Sequence, residues 1–209
     1  IIGGEALVRW QNDKEMIYPD QFIPVLEKNG YVIDVDNFIW NKVCACIKMM
    51  EDKGIEPVPI SVNVSRMHVY QEKFTENLKN MAGEYGIDPK YIPLEITESA
   101  FTKEEGSLFK KVQSLQGYGF KFSMDDFGSG YSSLGMLKSE RVDEVKIDKT
   151  FVDDIATDKG KVLLGNVIRM INELGIDMIA EGVETKEQAD FLKENGCMYA
   201  QGYYYYKPM

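Results

Sequence analysis

The chain has 209 residues, of which 44% are hydrophobic and 11% aromatic, which is enough apolar material for a buried core and excludes a disordered chain. Acidic residues outnumber basic residues by 34 to 24, so the basic surface typical of proteins that bind DNA or anionic membranes is missing. No apolar run approaches the roughly 20 residues of a membrane span, and the first residues lack the pattern of a signal peptide. These features predict a soluble, cytoplasmic domain without DNA or membrane contacts.

Short β-branched or apolar runs alternate with longer amphipathic stretches along the chain, a pattern typical of β/α units. The predicted strands are residues 1–9, 58–65, 92–97, 121–125, 144–148, 177–181 and 200–205. The predicted helices are residues 19–29, 34–53, 67–85, 103–117, 159–174 and 186–195. No linker or repeat divides the chain, so residues 1–209 are predicted to form one domain.

The predicted strands alternate polar and apolar residues toward their carboxyl ends, as residues 61–65 (SVNVS) show. A period of two places these sets on opposite faces, which indicates a barrel with helices outside and a polar mouth. The strands of a doubly wound sheet are buried on both faces and would be continuous apolar runs, without this alternation. Seven strands are one fewer than a closed barrel needs. We therefore expect an α/β fold, a (β/α)8 TIM-like barrel whose first strand is missing from a chain truncated at both ends.

Cysteine and histidine provide little for a metal or redox site. Cys44 and Cys46 lie on different faces of a predicted helix, and Cys197 stands apart in the sequence. All three are predicted to be buried, reduced thiols. His68 is the single histidine, which argues against a zinc site or a catalytic triad based on histidine.

Acidic and amide residues recur at the predicted strand ends, and these ends meet at one rim of a barrel. The acidic and amide residues concerned are Glu5, Asn63, Glu95, Glu98, Asp125, Asp126, Glu181, Glu184 and Gln201, and Lys146 lies at a further strand end. Converging carboxylates repel one another unless cations neutralise them, and oxygen ligands without histidine or thiolate favour Mg²⁺ or Mn²⁺. For each acidic residue taken alone, the alternative to a metal ligand is a solvated charge on the protein surface.

The neighbouring pair Asp125 and Asp126 is the most informative part of this pattern. Adjacent strand residues point to opposite faces, so both can reach one cluster only if the strand ends between them and the backbone turns. Asp125 could then bridge two cations while Asp126 holds the second, as in displacement at phosphorus. The alternative is a glycine turn after an edge strand.

These motifs resemble, in order and over essentially the whole chain, those of the EAL domain family. The segments that carry the resemblance are residues 5–10 (EALVRW), 61–65 (SVNVS), 95–98 (EITE), 125–133 (DDFGSGYSS), 145–148 (VKID), 180–184 (AEGVE) and 201–203 (QGY). The resemblance implies hydrolysis of cyclic di-GMP to linear pGpG with two divalent cations, Mg²⁺ or Mn²⁺. It also implies a (β/α)8-like barrel with one antiparallel strand. Ser129 departs mildly from the family pattern, in which threonine is common.

The resemblance also implies roles for individual residues. The first metal would be held by Glu5, Asn63, Glu95 and Asp125, and the second by Asp125, Asp126 and Glu181. The catalytic set would comprise Lys146, which positions the attacking water, Glu181 as general base, Gln201, which orients water, and Glu98, which anchors the glycine loop. Leu7 and Arg9 would contact the substrate.

The resemblance predicts cyclic di-GMP as ligand, a homodimer, and a fused GGDEF or sensory domain outside this chain, in a signalling protein that could be membrane-anchored.

Two alternatives to the enzyme remain open. The first is an inactive cyclic di-GMP receptor, although such receptors generally lack several metal ligands and this chain lacks none. The second is a dimerising regulatory domain that binds no nucleotide.

Overall fold

The computed structural model describes residues 1–12, 15–98, 100, 105–128, 137 and 142–208. The chain groups into two compact units, the first comprising Ile1–Ile96 with Glu104–Lys121 and the second Thr97–Lys103 with Phe122–Met209. Among the described residues, no helix is both long and apolar enough to cross a membrane. The prediction of a single domain stays a prediction.

The first unit contains parallel strands alternating with helices. Its strands are β1 (Gly4–Glu5), β2 (Trp10–Gln11), β3 (Met16–Ile17), β4 (Ile60–Asn63) and β5 (Leu94–Thr97). Its helices are α1 (Pro19–Asn29), α2 (Val32–Asp52), α3 (Phe74–Tyr85) and α4 (Glu105–Gln116), with short 3₁₀ helices at Arg66–Tyr70 and Pro89–Tyr91. Strand β4 pairs in parallel with β1 and with β5, and β2 and β3 form an antiparallel pair.

The second unit repeats the same alternation. Its strands are β6 (Phe122–Phe127), β7 (Glu144–Ile147), β8 (Asp177–Ala180) and β9 (Tyr199–Ala200). Its helices are α5 (Lys149–Asp153), α6 (Asp158–Glu173) and α7 (Lys186–Glu194), with a 3₁₀ helix at Asp154–Ala156. The strands pair in parallel in the order β6, β7, β8, β9.

Apolar residues at the expected periods form the core of each unit. In α6 the fully buried residues Leu164, Ile168 and Ile171 recur at steps of four and three, which places them on one helical face. In β7 the apolar residues Val145 and Ile147 are also fully buried. The parallel β/α pattern predicted from the sequence is therefore confirmed within each unit, and parallel pairing aligns the carboxyl ends of neighbouring strands.

Several predicted boundaries are wrong, each for a local reason. The helix predicted at 67–85 is divided, because the Ser65 hydroxyl accepts a hydrogen bond from the Met67 amide and starts a 3₁₀ turn that ends before α3. The strand predicted at 200–205 ends at Ala200, since the chain turns at Gly202 and the Tyr206 amide donates to the Gly202 carbonyl.

The strand predicted at 1–9 is likewise limited to Gly4–Glu5, and the short β2–β3 hairpin was not predicted. On α2 the buried face includes Trp40, whereas Phe38 is 59% exposed. Cys44 and Cys197 are buried free thiols as predicted, but Cys46 is only half-buried.

Candidate active site

Three carboxylates of the second unit form a compact group. Asp125 and Asp126 lie in β6, and Glu181 directly follows β8. One oxygen from each carboxylate lies within 4.8 Å of the others, and all three side chains are partly buried. This geometry brings together three of the predicted metal ligands.

The backbone at Asp126 explains how two neighbouring aspartates reach one group. Asp126 has φ +56°, the left-handed region that aspartate tolerates better than most residues. The β6–β7 register shifts between Met124 and Phe127, so the strand continues through an irregularity. The prediction that the strand ends between the two aspartates is wrong, whereas the predicted backbone turn is present.

Lys146 provides the positive charge of this group. Its side chain is 3% exposed, and its Nζ lies 2.7 Å from Glu181 Oε1 and 3.5 Å from Asp125 Oδ1. A buried ammonium is costly unless acidic partners compensate it, and here two partners do so. Val145 and Ile147 on either side are buried core residues, so the alternation predicted for β7 is confirmed.

Gln201, which directly follows β9, contacts the same glutamate. Its Nε2 donates to Glu181 Oε1 at 2.7 Å. Its own backbone is held on both sides, because its amide donates to the Ala180 carbonyl and its carbonyl accepts from the Val183 amide. Lys146 and Gln201 therefore hold Glu181 in one orientation through the same oxygen.

Glu98 contacts the start of the glycine-containing loop. Its side chain is buried, and Oε2 accepts a hydrogen bond from the Gly128 amide at 3.2 Å. Gly128 has φ +96°, and a Cβ at this position would lie 1.8 Å from the Phe151 ring. The contact supports an anchoring role for Glu98. Ser129 and the rest of the loop up to 136 lie outside the described residues.

The remaining predicted ligands lie in strands of the first unit. Glu5 is the last residue of β1, Asn63 is the last residue of β4, and Glu95 lies in β5. The parallel register pairs Asn63 with Glu95, so these two residues are neighbours. Glu95 is buried, whereas Asn63 is exposed.

The two predicted substrate residues follow β1. Leu7 is 43% exposed. The Arg9 guanidinium donates to the Val8 carbonyl at 2.8 Å and lies 6.0 Å from the centre of the Tyr18 ring. Their substrate contacts stay a prediction.

Sequence reasoning did not single out two buried polar side chains of α2. Asp36 and Trp40 hydrogen-bond the backbone at Ser65 and Asn63, respectively. The sequence did contain a signal for them. The aspartate lies four residues before the tryptophan, inside an apolar helical pattern, so both side chains share one helical face, and a buried carboxylate there needs a partner.

The chain belongs to the EAL domain family, whose model matches residues 1–208. It is 34% identical over 211 residues to the oxygen sensor protein DosP of Escherichia coli K12, covering 100% of this chain and 26% of that protein. It is 31% identical over 211 residues to the bifunctional diguanylate cyclase/cyclic di-GMP phosphodiesterase MucR of Pseudomonas aeruginosa, covering 100% of this chain and 31% of that protein. The chain thus spans less than a third of each relative.

A solved structure of the PaMucR phosphodiesterase in complex with c-di-GMP is similar to this chain with a TM-score of 0.94 and 31% identity. The alignment covers 100% of this chain and 85% of that chain. The family match and this likeness confirm the predicted fold class, an α/β fold of the TIM-like barrel type.

Proposed function

We propose that the chain hydrolyses cyclic di-GMP to linear pGpG in bacterial second-messenger signalling. The observation that carries the proposal is the group of Asp125, Asp126 and Glu181 around the buried ammonium of Lys146. Membership of the EAL family supports it, as do the name of MucR and the c-di-GMP complex of the similar structure.

The donor chemistry of the carboxylate group fits divalent cations. Three carboxylates within 4.8 Å of one another carry more negative charge than one lysine offsets, and hard oxygen donors suit Mg²⁺ or Mn²⁺. In this proposal Asp125, Asp126 and Glu181 would hold one of two cations, and Glu5, Asn63 and Glu95 would be ligands of the other, the first metal. When bound, the cations would provide water of lowered pKa and neutralise charge on the phosphoryl oxygens.

The side chains of the chain itself would position the reactants. Lys146 would orient the attacking water and stabilise charge that develops at phosphorus, because a buried ammonium acts strongly in a water-poor site. Glu181 would accept the proton of that water, and Gln201 would keep the Glu181 carboxylate in place through the 2.7 Å hydrogen bond. Water attacks phosphorus, the bond from phosphorus to O3′ breaks, and O3′ leaves with a proton.

Further residues have supporting roles in the same proposal. Glu98 would hold the loop that begins at Gly128, as its hydrogen bond to that amide indicates. Leu7 and Arg9 would contact the nucleotide, with Arg9 offering its guanidinium fork to a phosphate. A second copy of the chain and a fused GGDEF or sensory domain are the proposed protein partners.

One incubation separates the enzyme from the two alternatives. The chain is mixed with cyclic di-GMP and Mg²⁺ or Mn²⁺, passed through a desalting column, and the nucleotide is analysed by chromatography. Linear pGpG supports the phosphodiesterase. Intact nucleotide that elutes with the protein would indicate a receptor, and intact nucleotide that does not bind would indicate a regulatory domain. Either of these outcomes contradicts the proposal.

A further inference from the structure

The end of β4 is held by two side chains of helix α2. Trp40 is 2% exposed, and its Nε1–H donates to the Asn63 carbonyl at 3.0 Å. Asp36, one helical turn earlier on the same face, accepts the Ser65 amide on Oδ2 at 3.0 Å. Between these contacts, the Val64 amide donates to the Glu95 carbonyl at 2.9 Å. A backbone group of each of three successive residues, 63–65, is thus held by a hydrogen bond.

His68 packs against these two side chains. It is 1% exposed, and its Nε2 lies 3.1 Å from Asp36 Oδ2. The centre of its ring lies 4.5 Å from that of Trp40 and 5.3 Å from that of Phe74. The imidazole therefore lies against the buried carboxylate, and its ring packs against the tryptophan that donates to Asn63.

We infer that Asp36, Trp40 and His68 are positioning residues that aim the side chain of Asn63 at a divalent cation. The inference rests on the proposed function, in which Asn63 is a ligand of the first metal. Because Asn63 is exposed, burial does not fix its side chain, and the direction of its Cα–Cβ bond depends on the backbone at the strand end. Partners that orient a ligand typically change metal affinity about 10- to 100-fold when they are removed.

A role in core packing alone makes a different prediction. If Trp40 and Asp36 only satisfy buried polar groups, their replacement lowers the thermal midpoint and leaves cation affinity unchanged. If they aim Asn63, cation affinity falls even where the variant is fully folded. Affinity and stability must therefore be measured on the same samples.

The test uses Trp40→Phe in the full chain, since phenylalanine keeps an aromatic ring and loses the N–H donor. Binding of Mn²⁺ alone is followed by the electron paramagnetic resonance signal of free Mn²⁺, and unfolding by circular dichroism. We expect about tenfold weaker Mn²⁺ binding. Hydrolysis of cyclic di-GMP should recover close to the wild-type maximum at saturating Mn²⁺, because the ligands themselves remain. Asp36→Leu, which keeps the size but removes the oxygen that accepts the Ser65 amide, should change affinity in the same direction.

Ile47→Val is the matched control, since Ile47 is fully buried on the same helix and its side chain has no polar atom. It should lower the thermal midpoint without changing Mn²⁺ affinity. Wild-type affinity in folded Trp40→Phe overturns the inference. If Trp40→Phe does not fold, wild-type Mn²⁺ affinity in folded Asp36→Leu overturns the inference instead. A wild-type chain that binds Mn²⁺ and leaves cyclic di-GMP intact overturns the proposed function only, whereas one that binds no Mn²⁺ overturns both.

Discussion

Lys146 has a structural role as a buried ion-pair partner and a proposed role in the chemistry. Its Nζ contacts two carboxylates that would otherwise face each other in a partly buried site. Removing one partner of a buried ion pair leaves the other charges uncompensated. Effects on folding and on turnover must therefore be measured separately for this residue.

Replacing Lys146 with methionine should lower maximal turnover about 10²- to 10³-fold, the typical effect of removing one preorganised donor to a transition state. Affinity for cyclic di-GMP should change far less, because the loss falls mainly on the transition state. Calorimetric binding in Ca²⁺ and product formation in Mg²⁺ measure the two quantities. Lys161→Met is the control, since the Lys161 side chain is 43% exposed and its Nζ lies 3.8 Å from an exposed glutamate. Near-normal turnover of Lys146→Met would remove this lysine from the mechanism.

The cysteines should differ in reactivity according to burial. Burial raises the pKa of the Cys44 thiol from 9.0 to about 12 and that of Cys197 to about 11. At pH 8.5 iodoacetamide should therefore modify Cys46 first, as mass spectrometry of timed samples would show. Because the folded state keeps protons that the unfolded state releases, the free energy of unfolding should also fall as pH rises above about 9. Equal alkylation rates at the three sites in the folded chain would contradict this account.

The strands and their polar carboxyl ends were predictable, because a period of two in the sequence directly reports the two faces of a strand. The proposed metal-ligating role of Asp125 and Glu181 followed from the same pattern. The left-handed backbone at Asp126 and the contact of Trp40 with Asn63 were not predictable. Both depend on tertiary packing. The backbone conformation of Asp126 accompanies a shift of the β6–β7 register, and the hydrogen bond from Trp40 to Asn63 joins residues 23 positions apart.

The segment after β9 packs closely against the backbone of Val183, near the carboxylate group of the candidate active site. A Cβ on Gly202 would lie 2.2 Å from the Val183 carbonyl oxygen. The two segments cannot separate freely, because the Val183 amide donates to the carbonyl of Gln201. The position of Gln201 thus depends on the absence of a side chain at the next residue.

Gly202→Ala should therefore destabilise the chain by about 1–3 kcal/mol, the typical cost of overpacking. It should also lower turnover, because the hydrogen bond from Gln201 to Glu181 is displaced. Urea unfolding and product formation measure these effects. The control is Gly175→Ala, which also lies at positive φ but has nothing within 4 Å of the added Cβ. Gly175→Ala should lose stability and retain activity, and a similar loss of activity in both variants would show that Gln201 is not involved.

The chain has a net charge of −10, and three of its carboxylates lie close together in the group of Asp125, Asp126 and Glu181. Divalent cations that bind this group should therefore stabilise the folded chain more than a monovalent salt does at the same ionic strength. A ligand that binds only the folded state adds about 2.7 kcal/mol to the free energy of unfolding at 100 times its Kd. We expect thermal unfolding in Mg²⁺ to shift upward relative to Na⁺ at equal ionic strength. The shift should be largely lost in Asp125→Asn, and an equal shift in both proteins would place the cation elsewhere.

The most direct measurement of the proposed hydrolysis is the fate of the oxygen of water. Cyclic di-GMP is incubated with the chain and Mg²⁺ in H₂¹⁸O, and the product is analysed by mass spectrometry. If water attacks phosphorus, linear pGpG carries one ¹⁸O in its terminal 5′-phosphate, and Asp125→Asn yields no labelled product. Recovery of unlabelled, intact cyclic di-GMP from the wild-type chain with saturating Mg²⁺ or Mn²⁺ would contradict the proposed activity.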